Sequence, residues 1–392
     1  MILEKVDDET AYRGALREWL GDVLRAPEAT PTPGDHKSYV SSQRWWMAER
    51  NKVGLGTPHW PKEYGGVGLS LRNQVILAEE IVRAGGPSLG LFTVSLNHLP
   101  ATLFHHGTEE QKTRYLPGVS QGVIWCQGFS EPNAGSDLAS LKCKAVRDGD
   151  HYVVNGQKIW SSYSMYADYA VLLTRTDFDA PKHKGITFFL LDMKTPGVEV
   201  RPLIQANGLA KFAEIFLTDV RIPVSDRVGE ENQGWAVSQT TLSSERGVLS
   251  FERNERMRYH LENFYHHARE SDAAWLKDDE LRREFMRLFT ELQGCRRVMR
   301  WLMKENEKGG SPVANGVVPF VKLINTELRK NIGEFMIRAT GPDAQNFVPD
   351  FDELSTDPVF TYLTGLGGTI SAGSSEIMRN IISERVLNMP KG

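Results

Sequence analysis

The stretch HYVVNGQKIW at residues 151–160 decides the fold, because it begins a strand pattern in a chain that otherwise has helical periodicity. It is rich in β-branched and aromatic residues, which is typical of strands. Four further runs of the same kind follow it: DYAVLLTRT (168–176), GITFFLLDM (185–193), GVEVRPL (197–203) and AEIFLTDVRIP (213–223). Within the first run, the pair Asn155-Gly156 predicts a tight turn between two strands. We therefore predict a small antiparallel β domain.

Helical patterns lie on both sides of this β region. Upstream, apolar residues at helical spacing predict helices at 12–24, 41–53, 73–83 and 109–121. Downstream, they predict helices at 281–304, 320–338 and 376–387. The glycine-rich segment 365–368 predicts a turn before the last helix. The predicted architecture is α+β, with a helical domain at 1–122, the β domain at 123–230 and a second helical domain at 231–392.

Length and charge exclude several classes of protein. With 392 residues, the chain exceeds the ~250–300 at which a single hydrophobic core stops growing. Lys and Arg number 46 against 50 Asp and Glu, and the net charge of -4 argues against general nucleic-acid binding. No apolar run reaches the ~18 residues of a membrane helix, and the acidic start does not resemble a signal peptide. We expect a cytoplasmic protein with no membrane partner.

The cysteines and histidines form no metal-binding pattern. Cys126, Cys143 and Cys295 are odd in number and lack C-x-x-C spacing, which argues against a disulfide scaffold or a cysteine zinc site. The ten histidines contain no H-E-x-x-H motif. We predict no metal site. The sequence also lacks a G-x-S-x-G elbow, a Walker loop and a G-x-G-x-x-G fingerprint, which argues against hydrolase and nicotinamide chemistry.

Two segments of the β region carry residues suited to a planar cofactor. The loop GFSEPNAGSD at 128–137 offers small residues, hydroxyls and backbone N–H groups that can bind a polar or anionic group. The segment GQKIWSS at 156–162 places Trp160 where it could stack on an aromatic ring, with the hydroxyls of Ser161 and Ser162 at the ring edge. Taken alone, the loop could be a capped turn, and the tryptophan a core residue beside two surface serines.

A third candidate is the carboxylate of Glu245, within Ser244-Glu245-Arg246. Helical spacing places it on the same stripe as three apolar residues: Leu242, Val248 and Leu249. Loss of solvent on that face would raise the pKa of the carboxyl towards the range of a general base. Alternatively, Glu245 could form an ordinary ion pair with a nearby arginine.

Five segments, in order along the chain, resemble motifs of the acyl-CoA dehydrogenase family. They are WPKEYGG (60–66), CQGFSEPNAGSD (126–137), NGQKIWSS (155–162), DVRIP with VGEENQGW (219–223 and 228–235) and GSSEIMRNIISERVL (373–387). The resemblance implies an N-terminal helical domain, a middle β domain and a C-terminal four-helix bundle. It also implies FAD bound between the β domain and the bundle.

The resemblance assigns the cofactor-binding residues by position. Those expected to line the flavin and pantetheine region are Phe129, Ser130, Gly135 and Ser136. Trp160 is expected against the isoalloxazine, with Ser161 beside it and Ser162 near the reactive edge. Ser374 and Glu376 are expected to approach the ribityl-pyrophosphate or adenosine part.

The resemblance also implies the chemistry, which is α,β-dehydrogenation of an acyl-CoA thioester. Many relatives place the catalytic Glu just before the glycine of the last motif, where this chain has Ala372. The isovaleryl-CoA dehydrogenase type instead has its Glu directly before an Arg on the first bundle helix, as in Glu245-Arg246. We therefore expect Glu245 to be the base, the Ala372 N–H to bind the thioester oxygen, and Arg246 to organise the site.

Two family patterns are missing, which favours a bacterial subgroup that resembles steroid side-chain acyl-CoA dehydrogenases. No R-x-x-F-G segment is found near residues 260–285, and IRATG at 337–341 replaces Q-x-x-G-G. The expected partners are an acyl-CoA substrate and an electron-transfer flavoprotein. The expected assembly is a homodimer, a homotetramer or a heterotetramer. Two alternatives are a flavin oxidase or monooxygenase on the same fold and a non-catalytic subunit of a heteromeric dehydrogenase.

Overall fold

The computed structural model describes residues 8–243, 248–309, 312–347 and 357–390. Its helices are α1 (Glu9–Val23), α2 (His36–Lys52), α3 (Leu71–Arg83), α4 (Leu99–His106), α5 (Glu109–Ser120), α6 (Gly234–Ser243), α7 (Val248–Glu270), α8 (Asp279–Glu307), α9 (Pro312–Thr340), α10 (Pro358–Ile370) and α11 (Ser375–Ile381). Its strands are β1 (Trp125–Gly128), β2 (Lys144–Asp148), β3 (His151–Ser162), β4 (Tyr169–Arg175), β5 (Ile186–Asp192), β6 (Val198–Leu203), β7 (Phe212–Pro223) and β8 (Arg227–Val228). The predicted order of helices, strands and helices is confirmed. Among these helices, none is long and apolar enough to cross a membrane.

The chain forms two compact units that are interleaved in sequence. The first comprises residues 1–46, 69–88 and 246–392, and the second comprises residues 47–68 and 89–245. The two boundaries between the three predicted domains stay a prediction.

The second unit is built on a mixed eight-stranded sheet in the order β6-β7-β3-β2-β4-β5-β8, with β1 paired to β4. Its pairs are antiparallel except β1–β4 and a short β2–β4 contact, which are parallel. The central strands β4 and β5 are buried almost throughout, which explains why their sequences are continuously apolar. Helix α6 packs against β5 and α4.

The prediction of a turn at Asn155-Gly156 is wrong, because both residues lie inside β3. The β3–β7 register shifts between Val154 and Gly156, so the strand carries an irregularity there instead of ending. A β carbon at Gly156 would lie 2.8 Å from the Cα of Cys143, so close approach of the residue before β2 requires the glycine. The turn that joins β2 to β3 is at Gly149, which has φ +60°.

The first unit is helical, and its core is rich in aromatic rings. Trp275 stacks on Phe264 and meets Phe335 edge-on, with ring centroids 5.8 and 5.5 Å apart. Residues of α7, α8 and α9 complete this core. Helices α9 and α10 pack closely, because a β carbon at Gly333 would lie only 2.5 Å from backbone atoms of Tyr362.

The predicted turn at 365–368 is also wrong, since these residues lie within α10. Gly365 faces α9, where an added β carbon would approach the Cα of Lys330 to 3.0 Å. The glycines therefore permit helix contact instead of breaking the helix. The last predicted helix begins at Ser375 and continues from Ile382 to Val386 as a wider π-helical turn.

A buried group of carboxylates and arginines also holds the first unit together. Glu80, almost fully buried, accepts hydrogen bonds from Arg13, Arg17 and Arg83 at 2.8–3.0 Å. Burial acts to raise the pKa of Glu80, but the three guanidinium groups outweigh it and lower that pKa to about 2. Sequence patterns gave no sign of this network, because its members lie on α1 and α3.

Candidate active site

The end of β3 presents Trp160 to solvent. The β3–β7 register shifts again between Lys158 and Ser161, and Trp160 there has φ +61°. This left-handed conformation is rare for a bulky residue and, in a bulge, turns its side chain outward. The side chain is 58% exposed and is held on one side by Phe212, whose ring it meets edge-on at 6.1 Å. The result is an oriented aromatic face on the surface of the second unit.

The two serines that follow Trp160 have different surroundings. Ser161 pairs with Ala213 and is fully buried, and its Oγ has no hydrogen-bond partner among the described residues. Ser162 is partly exposed and pairs with Phe212. Of the two hydroxyls, Ser162 is therefore the one that a ligand stacked on Trp160 could reach.

The loop that follows β1 lies beside this strand end. The side chain of Phe129 is buried and meets Phe188 edge-on, with ring centroids 5.8 Å apart. The carbonyl oxygen of Ser130 accepts a hydrogen bond from the Ile159 amide at 2.9 Å. Further along the loop, Gly135 and Ser136 are exposed. The structure thus brings the predicted loop residues and Trp160 together in one unit.

A buried ion pair, which the sequence motifs did not reveal, fixes this loop to β3. The ammonium of Lys158, fully buried, donates to Glu131 Oε1 at 2.8 Å and to the carbonyl oxygen of Phe129 at 3.1 Å. Glu131 also accepts hydrogen bonds from the amides of Lys142 (2.7 Å) and Cys143 (2.8 Å). The signal in the sequence was a lysine at an inward position of a strand, two residues before Trp160. Such a lysine requires a partner.

A second buried cation holds the end of the same segment. The guanidinium of Arg175 donates to the carbonyl oxygens of Ala139 (2.5 Å), Leu141 (3.2 Å) and Lys182 (2.9 Å). Lys158 and Arg175 thus anchor residues 129–143 from two neighbouring parts of the sheet. Buried charge therefore pre-organises the segment 129–143.

These residues fit a flavin. An exposed indole can stack on a planar ring system, a neighbouring hydroxyl can bond its polar edge, and exposed backbone at Gly135 and Ser136 can approach a phosphate or an amide. The indole and hydroxyl groups of Trp160 and Ser162 are neutral, which suits a neutral flavin ring. We find no conflict between this part of the chain and an FAD ring.

The remaining predicted residues lie in the first unit or outside the described residues. Ala372 is exposed with φ +54° in the short connection between α10 and α11. Ser374 caps α11, since its Oγ accepts the Ile377 amide at 3.3 Å. Glu376 is exposed in the first turn, and hydrogen bonds from its own amide and from Ser374 lower its pKa. Glu245 and Arg246 lie outside the described residues.

Helix α6, the last described element before position 245, is held by two side-chain contacts to α4. Thr241 on α6 shares a 2.7 Å hydrogen bond with Thr102 on α4, and His106 Nε2 lies 2.8 Å from the hydroxyl of Thr240. Both contacts fall in the last turn of α6, which ends at Ser243. The backbone of α6 up to Ser243 thus has a defined direction.

Comparison with known proteins places the chain in a family. Models described as acyl-CoA dehydrogenase N-terminal, middle and C-terminal domains match residues 6–123, 126–220 and 232–387. The chain is 35% identical to "Acyl-CoA dehydrogenase IpdE1" of Mycobacterium tuberculosis, over 98% of this chain and 99% of that protein. Among solved structures, it is similar to the "Tcur3481-Tcur3483 steroid ACAD" (29% identity, TM-score 0.82, 100% of both chains). It is also similar to the "ChsE4-ChsE5 complex" from Mycobacterium tuberculosis (29% identity, TM-score 0.81, 100% of both chains).

The fold and these matches define an oxidoreductase. The chain belongs to the acyl-CoA dehydrogenase family. The resemblance in its sequence motifs is thereby confirmed.

Proposed function

We propose that the chain catalyses the FAD-dependent α,β-dehydrogenation of an acyl-CoA thioester to the trans-2-enoyl-CoA. One observation carries the proposal: Trp160 is turned outward at a bulge, beside Ser162 and a loop anchored by Lys158. A left-handed conformation is costly for a tryptophan, and such strained residues cluster at functional sites. Membership of the acyl-CoA dehydrogenase family supports the same function.

The cofactor is held by the residues that present this face. In our proposal, Trp160 covers the flavin ring, Ser162 bonds its edge, and Phe129, Ser130, Gly135 and Ser136 form the adjoining wall. Ser161, next to Trp160 in β3, is buried and leaves the contact with the flavin edge to Ser162. Ser374 and Glu376 approach the ribityl-pyrophosphate or adenosine part. FAD, when bound, supplies the acceptor for the hydride from the β carbon.

Glu245 is the proposed base for the α-proton of the substrate. The α carbon is a weak acid, so the negative charge that develops on the thioester oxygen must be stabilised as the proton leaves. The Ala372 amide is the proposed protein donor to that oxygen, and such a donor is typically worth ~2.7–4 kcal/mol. Arg246 organises the site without transferring a proton.

The proposed substrates carry a bulky or ring-bearing acyl group. Support comes from the small pair Ser371-Ala372 at the proposed thioester site and from the similar structure titled a steroid ACAD. A similar structure is titled as a complex of two named components, so a heterotetramer is a proposed assembly beside a homodimer or homotetramer. An electron-transfer flavoprotein is the proposed electron acceptor.

The test is a visible spectrum of the purified protein followed by anaerobic titration with acyl-CoAs, from short straight chains to steroid-ring thioesters. A flavin band that one class of acyl-CoA bleaches supports the proposal and identifies the substrate class. Rapid reoxidation of the bleached flavin by oxygen at turnover rates favours the oxidase or monooxygenase alternative. A colourless protein that FAD does not reconstitute favours a non-catalytic subunit.

Substitution of the proposed base tests the mechanism. Glu245→Gln should keep the flavin band and lose its bleaching by substrate. The matched control is Glu270→Gln, at the exposed end of α7, which should bleach like the wild type. Unchanged turnover in Glu245→Gln would exclude Glu245 as the base.

A further inference from the structure

The connection between α10 and α11 has an unusual backbone. Ala372 and Gly373 are consecutive left-handed residues, with φ +54° and +88°. Left-handed backbone is rare for alanine and persists only where the surroundings hold it. The amide of Ala372 is the proposed donor to the thioester oxygen, so whatever holds this connection also sets the direction of that N–H group.

The side chain of Lys322 holds the connection from α9. Its Nζ donates to the carbonyl oxygen of Gly373 and, at 3.3 Å, to that of Gly368. Gly368 belongs to the last turn of α10, where carbonyl groups lack partners within the helix. One ammonium group therefore bridges the end of α10 and the peptide that follows Ala372 and Gly373.

The other contacts of α9 keep Lys322 in place. Glu327, five residues along the same helix, accepts a 2.7 Å hydrogen bond from Ser375 Oγ at the start of α11. Close packing at Gly333 and Gly365 fixes the distance between α9 and α10. Helix α9 thus contacts both ends of the connection. Within the connection, the side chain of Lys322 binds the carbonyl oxygen of Gly373.

We propose that Lys322 is a positioning residue, which orients the Ala372 amide towards the thioester oxygen. This inference rests on the proposed function. A donor acts on developing charge only if its direction is fixed before the reaction, because reorientation during the reaction would cancel the gain. Loss of the two carbonyl contacts would let the Ala372–Gly373 peptides rotate away from the left-handed conformation, although no group that touches the substrate would be removed.

The experiment compares the holoenzyme with Lys322→Met, Lys322→Gln and Lys322→Arg. Lys322→Arg is the conservative variant that restores donors to the carbonyl groups. The matched control is Arg338→Met, since Arg338 is on the same helix but binds the carboxylate of Glu284 on α8 instead of a backbone carbonyl. Circular dichroism and the flavin spectrum verify that each variant folds and retains FAD, and Lys322→Gln replaces Lys322→Met if the latter does not fold.

The primary readout is the infrared carbonyl frequency of bound trans-2-octenoyl-CoA labelled with ¹³C at the thioester carbonyl. Relative to the unbound probe, we expect a shift to lower frequency in the wild type and loss of most of that shift in Lys322→Met and Lys322→Gln. The shift should be retained in Lys322→Arg and Arg338→Met. In turnover with the acyl-CoA that bleaches the wild type, kcat should fall about 10- to 100-fold in Lys322→Met, with KM changed less than about threefold.

The outcomes separate the inference from the proposed function. An equal carbonyl shift in wild type, Lys322→Met and Lys322→Gln would overturn the positioning role, while flavin bleaching by acyl-CoA would still stand. If the wild-type protein binds the probe without any shift, both assignments fail: the Ala372 amide as donor to the thioester oxygen and Lys322 as its positioning residue. A shift that is lost in Arg338→Met as strongly as in Lys322→Met would also overturn the inference, because it would assign the effect to positive charge on α9 and not to the carbonyl contacts of Lys322.

Discussion

Lys158→Met tests whether the buried ion pair holds the segment 129–143, which we propose to bind the cofactor. Methionine nearly preserves the length of the lysine stem but removes the ammonium, so Glu131 loses its 2.8 Å partner and the Phe129 carbonyl loses its 3.1 Å donor. Both members of the pair are shielded from solvent, with exposures of 0% for Lys158 and 9% for Glu131. Water therefore cannot readily replace the missing ammonium in the closed state.

The expected cost is about 3 kcal/mol. Removal of one partner from a buried ion pair typically costs ~3–5 kcal/mol, because an unpaired charge stays buried. Glu131 retains two of its hydrogen bonds, from the amides of Lys142 and Cys143, which places the cost at the lower end of that range. In the double variant Lys158→Met/Glu131→Gln the cost should be smaller, since no buried charge is left without a counter-ion.

Thiol exchange at Cys143 measures this cost locally. The thiol of Cys143 is buried, and the backbone amide of the same residue donates to Glu131. The thiol therefore becomes reactive only when the segment 129–143 separates from the sheet. Burial raises the pKa of this thiol to about 11, which keeps it inert in the closed state. A cost of about 3 kcal/mol corresponds to a roughly 100-fold faster reaction in Lys158→Met. Mass spectrometry of the labelled peptides resolves this site from Cys295, a buried thiol of the first unit that serves as internal control.

Two results would refute the reasoning. A Cys143 rate within threefold of the wild type would mean that the ion pair does not hold the segment. Equal acceleration at Cys143 and Cys295 would mean that the substitution destabilises the whole chain. The visible spectrum of the same samples should show that FAD is lost more readily from Lys158→Met than from the double variant.

Three further predictions concern stability and cofactor binding. Because the pKa of Glu80 is lowered from 4.5 to about 2, its ionised form stabilises the folded chain above pH 4.5, and this stability is lost as the pH falls through about 2. The wild type should therefore lose up to about 3 kcal/mol of unfolding free energy through Glu80 between pH 5 and 2, and Glu80→Gln should not show this loss. Urea unfolding at each pH measures the difference. Gly333→Ala should destabilise the first unit by about 1–3 kcal/mol, because its β carbon would collide with the backbone of α10, and an unchanged urea midpoint would contradict this. Trp160→Ala should leave the urea midpoint of the apoprotein within error, since its side chain is 58% exposed, but weaken FAD binding by about 0.5–1.5 kcal/mol in a reconstitution titration; equal FAD affinity would argue against stacking.

Several features of the fold were predictable from the sequence because they depend on local patterns. The apolar spacing of residues 73–83 gave a helix at Leu71–Arg83, and the continuous apolar run at 186–191 gave the buried strand β5. The succession of helical and strand patterns gave the fold class, and the order of five motifs gave the family, which the comparisons confirm. The identity of Glu245 as base stays a prediction.

The two wrong predictions have one physical cause. Asn155-Gly156 and the glycines at 365–368 carry the local signal of a turn, yet both lie inside regular elements. Each contains a glycine at which another segment approaches too closely for a side chain: Cys143 at Gly156 and Lys330 at Gly365. A local pattern cannot distinguish a glycine used for turning from a glycine used for contact, because the contact partner is distant in sequence.

The sequence by itself determined the elements, the family and the residue types that a flavin and a thioester require. Only the tertiary structure decided which of them can act together. Pairing of β3 with β7 inserted a bulge that turns Trp160 outward and Ser161 inward, and it buried Lys158 against Glu131, 27 positions away. Side-chain direction at a bulge and partners across a sheet follow from register, and register is set by the packing of the whole unit instead of by any one segment.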